Sequence, residues 1–282
     1  MKLHVLLPVH NRRSITEKFV LSLIRQTYKD FSLILLDDGS EDETAELVKS
    51  LIPQATVIRG DGKWWWAGAL QVGFDHLLRK ETSSADAVLL INDDTLLPDH
   101  FLETGLSLLN ASTKKLILAR AMSLQTGEPL GSAVRVNWKR LTFSPEFDSN
   151  LIDCGSTNGL LGRWGDFLKI GGFHPKWLPH YLSDYEYTIR ACRKGYQIVS
   201  DSTWTLFWNE ATTGISKVQA SSFTDYLRQL FSNRSKENPL HLFFFIIFAC
   251  PWYCLPWNLA RCFKVFLTGI GRGISFSKMR KA

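Results

Sequence analysis

The first 120 residues of this sequence alternate short apolar runs with helix-patterned segments, and this alternation constrains the fold most. Four runs are predicted strands, namely Leu3–Val9, Phe31–Leu36, Thr56–Ile58 and Ala87–Ile91. A predicted helix follows each strand, in the order Ser14–Thr27, Asp42–Leu51, Ala67–Arg79 and Pro98–Leu109. This order predicts an α/β fold with a mostly parallel central sheet and helices on both faces. Ligands of such sheets bind beyond the carboxyl ends of the strands.

Two capping boxes predict where helices begin, because a Ser at the helix start and a Glu three residues later satisfy free backbone N–H groups reciprocally. Ser14 with Glu17 predicts the first helix, and Ser183 with Glu186 predicts a later one that ends near Gly195.

Between these helices the pattern loosens into short strands and Gly-rich turns, and no Pro- or Ser-rich linker precedes residue 230. We therefore expect one continuous catalytic-sized domain over residues 1–235. Residues 236–282 form an apolar, basic tail.

Polar residues stand where the predicted strands end. The second strand runs into Asp37 and Asp38, and the fourth runs into Asp93 and Asp94 with no basic residue beside them in sequence. Adjacent carboxylates repel each other unless a donor or a cation compensates them. The pair after the fourth strand therefore favours a hard divalent cation such as Mg or Mn, whereas ordinary turn and capping chemistry is the alternative for both pairs.

Four ordered motifs over residues 3–210 resemble the family 2 glycosyltransferases of the GT-A fold. They are Val5-Leu-Leu-Pro-Val-His-Asn11, Leu35-Leu-Asp-Asp-Gly-Ser40, Asn92-Asp-Asp94, and Gly171-Gly-Phe173 with Asp184-Tyr-Glu186. The resemblance implies a GT-A sheet flanked by helices, with a helical C-terminal tail. It also implies a nucleotide-sugar half at about 1–115 and an acceptor half at about 116–235.

The resemblance assigns the strand ends to a nucleotide-diphosphate sugar. The base and ribose would be held by Pro8, Val9, His10, Asn11, Asp37 and Asp38. Asp38 would accept a hydrogen bond from the base imide. Asp93 and Asp94 occupy the Asp-X-Asp position, which implies that Asp94 binds the metal directly. Asp93 would bind the ribose or a metal-bound water. Where relatives often place a metal-proximal His, this chain has Trp208-Asn209-Glu210.

Asp184 matches the family's catalytic base, which takes the proton of the acceptor hydroxyl in an inverting transfer. The residues alone leave another interpretation open, because an acid in the first turn of a helix also stabilises the helix dipole. The resemblance favours the base. The expected acceptor-side residues are Asn158, Gly159, Tyr185 and Glu186, of which Glu186 is mainly structural.

The segment Gly60-Asp-Gly-Lys-Trp-Trp-Trp-Ala-Gly68 departs from the common family pattern. Adjacent helical residues point about 100° apart, so three tryptophans cannot share one core. We expect at least one, Trp65, to line the donor pocket together with Asp61, and Lys63 to pair with the diphosphate. A rhamnosyltransferase-like subset of the family is similar here, which favours a deoxysugar donor.

The tail carries the whole net charge of +6, since none of the 27 acidic residues follows residue 238. Its basic residues after position 238 are Arg261, Lys264, Arg272, Lys278, Arg280 and Lys281, whereas residues 1–238 carry 27 basic and 27 acidic side chains. Within the tail, Leu240–Ala260 has no formal charge but is interrupted by Pro251 and Pro256. This pattern favours a broken helical segment over 240–282 on the cytoplasmic membrane surface, with a transmembrane span and a helix packed on the domain as alternatives.

The neutral domain gives no broad basic footprint, so we expect no nucleic-acid partner. Five irregularly spaced cysteines and no recognisable signal peptide favour a cytosolic protein with peripheral membrane association. The expected acceptor is lipid-linked or a polysaccharide, in cell-surface glycan synthesis. The competing interpretations are a nucleotidyltransferase, disfavoured because the loop Asn11–Ser14 contains no glycine, and a catalytically inactive nucleotide-sugar-binding scaffold.

Overall fold

A computed structural model of the chain describes residues 1–111, 113–212 and 222–279, without the side chains of 223 and 269–279. The described strands are β1 (Leu3–Val9), β2 (Phe31–Asp37), β3 (Thr56–Arg59), β4 (Ala87–Leu90), β5 (Thr95–Leu96), β6 (Lys115–Leu118), β7 (Arg120–Ser123), β8 (Ala133–Asn137), β9 (Thr142–Pro145), β10 (Cys154–Gly155), β11 (Leu160–Arg163), β12 (Gln197–Val199) and β13 (Thr205–Trp208). The helices are α1 (Arg13–Ile24), α2 (Thr44–Leu51), α3 (Trp65–Arg79), α4 (Phe101–Asn110), α5 (Trp164–Ile170), α6 (Ser183–Arg193), α7 (Phe223–Leu230), α8 (Pro239–Ala249) and α9 (Leu255–Met279). Short 3-10 helices cover Glu210–Thr212 and Trp252–Cys254.

The central sheet has seven strands in the order β12-β6-β11-β4-β1-β2-β3. Strand β1 pairs in parallel with β2 and β4, and β2 pairs in parallel with β3. Strand β11 runs antiparallel to both β4 and β6. The predicted mostly parallel α/β sheet is therefore confirmed, and the four predicted strands differ from β1–β4 by at most one residue at an end.

Both faces of this sheet are covered by helices. Alternate residues of β1 point to opposite faces, as the period of a strand requires. Val5 and Leu7 pack in one buried cluster with residues of α1, α2 and α4, whereas Leu6 packs in another with residues of α3, α5 and α6. Because both faces of β1 are buried, its sequence is a continuous apolar run.

Both predicted capping boxes are wrong, because other partners take their groups. The N-cap of α1 is Arg12, which makes no side-chain cap, and the Asp42 carboxylate accepts from the Arg13 N–H at 2.8 Å. At α6, the Ser183 hydroxyl donates to the His180 carbonyl at 2.6 Å. Arg190 engages the Glu186 carboxylate, which therefore does not reach back to the helix start.

The tail begins as a helix packed on the domain. Phe245 and Ala249 of α8 are fully buried in a cluster with Val134, Cys154 and Ile189. The packed-helix alternative therefore holds for the inner face of α8. The predicted break is present, since α8 ends before Pro251 and α9 begins at Leu255.

Aromatic side chains project from the outer surface at this break. Trp252 is 84% exposed, Tyr253 67% and Trp257 68%. Among the helices that the structure describes, none is long and apolar enough to cross a membrane. Of the predicted basic tail residues, Arg280 and Lys281 lie outside the described residues, as do the side chains of Arg272 and Lys278.

Candidate active site

The carboxyl ends of β1, β2 and β4 meet at one edge of the sheet. Val9, the last residue of β1, is in register with Asp37, the last residue of β2. The buried Pro8 and Val9 set where the next loop begins, and the exposed His10 and Asn11 form it. The structure therefore brings the predicted residues of both strand ends together.

Hydrogen bonds tie the β1–α1 loop to the β2–α2 loop. His10 Nδ1 lies 2.7 Å from the carbonyl oxygen of Asp38, so this nitrogen carries the donated proton. Asn11 has a positive φ of 51°, its N–H donates to the Ser40 hydroxyl at 2.9 Å, and its Oδ1 accepts from the Glu41 N–H at 2.8 Å. These contacts hold both loops in one conformation and leave the His10 and Asn11 side chains at the surface.

Asp38 anchors the segment between β3 and α3. Its Oδ1 accepts from the N–H groups of Gly62 at 3.0 Å and Trp64 at 3.1 Å, and its Oδ2 accepts from the N–H of Trp65 at 3.0 Å. Asp37 is buried beside it, and its Oδ1 accepts from the Ser40 N–H at 2.9 Å. Backbone donors thus already engage the carboxylate that the family resemblance assigns to the base imide.

The close approach of two loops requires glycine at Gly39. Its φ is +71°, and a Cβ there would lie 2.8 Å from the backbone nitrogen of Gly62. Asp61 and Lys63, next to this contact, are both exposed and pair with each other at 3.0 Å. The predicted contact of Lys63 with a diphosphate stays a prediction.

The three consecutive tryptophans face different surroundings, as expected for adjacent residues. Trp64 and Trp66 are half-buried against the core cluster of the α3 face of the sheet. Trp65 has a positive φ of 57°, and its ring centroid lies 6.0 Å from that of His180. The Ala67 N–H donates to the Pro179 carbonyl at 2.9 Å, which fixes the start of α3 against the 174–181 loop.

The acid pair after β4 is buried and shares one guanidinium. Arg12 Nε lies 3.3 Å from Asp93 Oδ1, and Arg12 Nη2 lies 3.4 Å from Asp94 Oδ2. Thr16 Oγ1 donates to Asp93 Oδ2 at 2.8 Å. The acid pair has no basic residue beside it in sequence, but it does have one in space, because Arg12 contacts it from the loop after β1.

Burial shapes the ionisation of this pair. Burial raises the pKa of Asp93 to about 6, against the opposing effects of Arg12 and Thr16. Burial also raises the pKa of Asp94, and Arg12 and the Trp208 indole lower it. Both carboxylates are therefore held in a site that stabilises their charge incompletely.

Several buried polar atoms around Asp94 have no hydrogen-bond partner in the described part of the chain. They are Asp94 Oδ1, Asn92 Oδ1 and the indole nitrogen of Trp208, which lies near enough to Asp94 to lower its pKa but makes no hydrogen bond of regular geometry. A buried carboxylate oxygen without a donor fits a hard cation such as Mg or Mn, which takes one or two carboxylates plus oxygens from a bound phosphate. No group of three or more His, Cys, Asp and Glu suited to a metal occurs within the described residues, and the predicted metal contact of Asp94 and Asp93 stays a prediction.

Asp184 lies in the first turn of α6 and is partly exposed. Its Oδ1 accepts from the N–H of Tyr185 at 2.9 Å. Burial raises the pKa of Asp184 to about 6, and no cation lowers it. Burial and then the nearby Asp184 charge also raise the pKa of the Cys154 thiol and the Tyr185 phenol. The structure therefore places a carboxylate with a raised pKa at the predicted position, and its role as the base stays a prediction.

The predicted acceptor-side residues divide into three positions. Asn158 Oδ1 accepts from the Asn92 N–H at 3.0 Å, while its Nδ2 is buried without a hydrogen-bond partner among the described residues. Gly159 has φ +81° and joins β4 through its N–H, which donates to the Leu90 carbonyl at 2.9 Å. The Tyr185 ring packs against Phe143, with centroids 5.3 Å apart.

Glu186 has a structural position. It is buried and binds Arg190 through contacts of 2.8 and 3.1 Å. Arg190 in turn donates to the carbonyls of Ile170 and Gly172, each at 2.8 Å. The ion pair therefore fixes the Gly171-Gly172 turn against the helix that carries Asp184.

Sequence reasoning missed Arg12 and Thr16 as parts of this site. Arg12 follows the predicted donor residue Asn11 directly, so its place at a strand end was the available signal. The family resemblance places Trp208-Asn209-Glu210 where relatives have a metal-proximal His, and the structure brings this segment to Asp94, since the Asn209 N–H donates to the Asp94 carbonyl at 2.8 Å.

Comparisons with known proteins agree with this architecture. A family model described as "Glycosyl transferase family 2" matches residues 4–159. An uncharacterized glycosyltransferase of Haemophilus influenzae is 35% identical over 48 residues, which cover 17% of this chain and 19% of that protein. The GalNAc(5)-diNAcBac-PP-undecaprenol beta-1,3-glucosyltransferase of Campylobacter jejuni is 40% identical over 50 residues, covering 18% of this chain and 16% of that protein. Each match thus spans less than a fifth of the relative.

Solved structures show the same fold. The S. aureus TarS crystal structure has a TM-score of 0.59 at 16% identity, covering 96% of this chain and 55% of that chain. TarS 1-349 in complex with UDP-GlcNAc has a TM-score of 0.63 at 16% identity, covering 96% of this chain and 91% of that one. The fold is that of GT-A glycosyltransferases, and because the family model matches more than half of its length, this chain belongs to glycosyl transferase family 2.

Proposed function

We propose that this protein is an inverting glycosyltransferase that moves a hexose or deoxyhexose, such as rhamnose, from a UDP- or dTDP-sugar to a lipid-linked or polysaccharide acceptor. The observation that carries the proposal is the state of Asp184. Its pKa is raised to about 6 by burial, it has no cationic partner among the residues that the structure describes, and it remains partly exposed at the start of α6. A general base is most effective when its pKa lies near the working pH.

The transfer follows from this base. The acceptor hydroxyl gives its proton to the Asp184 carboxylate as the hydroxyl oxygen forms a bond to the anomeric carbon. The bond from that carbon to the diphosphate oxygen breaks, and the nucleoside diphosphate leaves with the electron pair. Attack from the opposite face inverts the configuration of the sugar.

The donor lies along the carboxyl edge of the sheet in this proposal. His10 and Asn11 are exposed at the end of β1, and Trp65 presents its ring at the start of α3. A divalent metal bound by Asp94 beside Asp93 would supply Lewis-acid stabilisation of the departing diphosphate. Arg12 orients both carboxylates and compensates part of their charge.

The proposed cellular site is the cytoplasmic face of the membrane. Trp252, Tyr253 and Trp257 are exposed, and Lys264 is exposed on α9, the helix that also carries Trp257. Interfacial aromatic residues with nearby cations favour an anionic bilayer surface. Sedimentation with anionic and with zwitterionic vesicles tests this location, and equal recovery in the supernatant from both would exclude it.

A donor panel tests the function. Tryptophan fluorescence is followed during titration with UDP-, dTDP- and GDP-sugars, each with and without Mn. We expect saturable quenching by one nucleotide class, and slow hydrolysis of the matching sugar with inverted configuration by proton NMR. Absence of binding to every donor would reject the proposal, and retained configuration would reject the inverting mechanism.

A further inference from the structure

We propose that Arg234, Lys236, His180 and His241 bind the phosphate of an acceptor that carries a long apolar chain, and that the outer face of α8 receives this chain. We refer to these four residues as the basic cluster. The inference rests on the proposed function, because it names the acceptor class and the acceptor site of that reaction. None of the four was among the predicted site residues.

The basic cluster is held against aromatic rings beside the candidate active site. The Arg234 guanidinium carbon lies 5.9 Å from the centroid of the Trp65 ring, and Lys236 Nζ lies 5.4 Å from that of Tyr181. The His180 ring stands between these two aromatics, 6.0 Å from Trp65 and 4.5 Å from Tyr181. Stacking on a ring face positions a cation and leaves its N–H groups free at the edge for an anion.

The surroundings of His180 are positive. Burial lowers the pKa of His180 to about 4, and the neighbouring charges that lower it further are those of His241, Lys236 and Arg234. The Nδ1 atoms of His180 and His241 are both buried without a hydrogen-bond partner in the described part of the chain. The two cations Arg234 and Lys236, together with the two unpaired ring nitrogens of neutral imidazoles, suit a phosphate group, which offers several acceptor oxygens.

An apolar stripe starts at the same place. Leu240, Phe243 and Ile247 are 53%, 39% and 43% exposed, and their spacing of three and four residues puts them on one face of α8. The opposite face is fixed to the domain through Phe245 and Ala249. A cationic cluster at one end of an exposed apolar stripe is complementary to a molecule with a phosphate head and a hydrocarbon chain.

The 174–181 loop connects this surface to the base. The Trp177 ring lies 4.2 Å from that of Phe244, and the His174 ring lies 5.1 Å from that of Phe248. The same loop leads into α6, whose first turn carries Asp184. An acceptor anchored on α8 therefore extends its sugar towards the residue that takes the proton.

Calorimetric titration of the full chain with farnesyl diphosphate, farnesol and inorganic pyrophosphate tests the site. We expect farnesyl diphosphate to bind more tightly than either fragment. The double variant Arg234→Gln/Lys236→Gln removes two charge-assisted contacts, and we expect it to weaken farnesyl diphosphate binding about tenfold or more. The matched control Lys18→Gln/Arg79→Gln removes two exposed cations elsewhere and leaves binding unchanged.

Three results would overturn the inference: equal affinity of wild type and double variant, equal affinity for farnesol and farnesyl diphosphate, or displacement of farnesyl diphosphate by UDP. Displacement by UDP would assign the basic cluster to the donor diphosphate. Quenching by nucleotide sugars is measured on the same proteins. If donors bind and farnesyl diphosphate does not, this inference fails while the proposed function stands.

Discussion

Two regions of the sheet edge carry the same sequence pattern, a buried strand followed by two aspartates, and they differ in how those acids are satisfied. After β2, backbone N–H groups donate three hydrogen bonds to the Asp38 carboxylate. After β4, Asp94 contacts Arg12 at 3.4 Å through one oxygen, and its other oxygen has no hydrogen-bond partner among the described residues. The acids after β2 therefore stabilise the fold by fixing the loop after β3. The acids after β4 retain a carboxylate oxygen that a ligand can bind.

We call Asp37 and Asp38 the satisfied edge and Asp93 and Asp94 the unsatisfied edge. Asp184 resembles the unsatisfied edge, because burial raises its pKa as well. Fixed N–H donors stabilise an ionised carboxylate, while burial without sufficient donors destabilises it and raises the pKa. Asp93 and Asp184 both have pKa values of about 6 for this reason. Removing a carboxylate is thus expected to damage stability at the satisfied edge and function at the unsatisfied one.

The largest expected effect is that of Asp184→Asn. An amide of the same shape cannot accept the acceptor proton, so we expect the transfer or hydrolysis rate to fall about 10²–10⁴-fold. Donor affinity, measured by tryptophan quenching, should remain within about twofold because Asp184 is not among the predicted donor contacts. A parallel loss of donor affinity and rate would instead assign Asp184 a structural role.

The next effect is on stability at the satisfied edge. Asp38→Asn leaves an NH₂ group facing backbone donors, and we expect the free energy of unfolding to fall by about 2–4 kcal/mol in urea denaturation. The exposed Asp61→Asn serves as the control, with a change within about 0.5 kcal/mol. If Asp38→Asn is as stable as the wild type, the anchor role of Asp38 is wrong.

Unlike Asp38→Asn, the variant Asp94→Ala should lose donor affinity and keep its stability. Removing a buried, poorly compensated charge leaves the free energy of unfolding unchanged or raises it. Donor affinity in the presence of Mn should fall about tenfold or more, and the difference between titrations with and without Mn should disappear. Full Mn dependence in this variant would contradict the metal role of Asp94.

The smallest expected effect is the pH dependence of stability. The folded-state pKa values of Asp93 and Asp184 are raised, so the folded protein binds more protons than the unfolded chain between about pH 4 and pH 6. Their favourable contribution is complete below the unfolded pKa and is lost as the pH rises through about 6. We expect Asp184→Asn to reduce the loss of stability between pH 4 and pH 7 by about 1 kcal/mol, measured by urea denaturation.

The sequence was sufficient for the parts of the molecule that depend on local pattern. Strands β1–β4 and the strand-end position of the acids follow from apolar runs and their abrupt ends. The capping box at Ser14 failed because α1 begins one residue earlier, where Asp42, distant in sequence, accepts from the Arg13 N–H. The box at Ser183 failed because Arg190, four residues along the same helix, pairs with the Glu186 carboxylate. The first partner is outside any local pattern, whereas the second is a competing local pair.

The hydrogen bonds and ion pairs of each aspartate also depend on residues that are distant in sequence. Arg12 reaches Asp93 across 81 positions of sequence, and the loop after β3 supplies every donor to Asp38. The environment of the tail likewise depends on distant residues. Its apolar run predicts burial but does not indicate whether lipid or the domain covers it. Packing of Phe245 against β8 and β10 answers this for one face of α8.

If Asp184 is the base of a sugar transfer, its titration must appear in the pH profile of kcat/KM for donor hydrolysis. With donor affinity measured at each pH to separate the titration of Asp93, the account predicts that kcat/KM falls below an apparent pKa of about 6 and that this acid limb is absent from Asp184→Asn. A rate that stays constant from pH 4.5 to 8, or the same acid limb in both proteins, would contradict it.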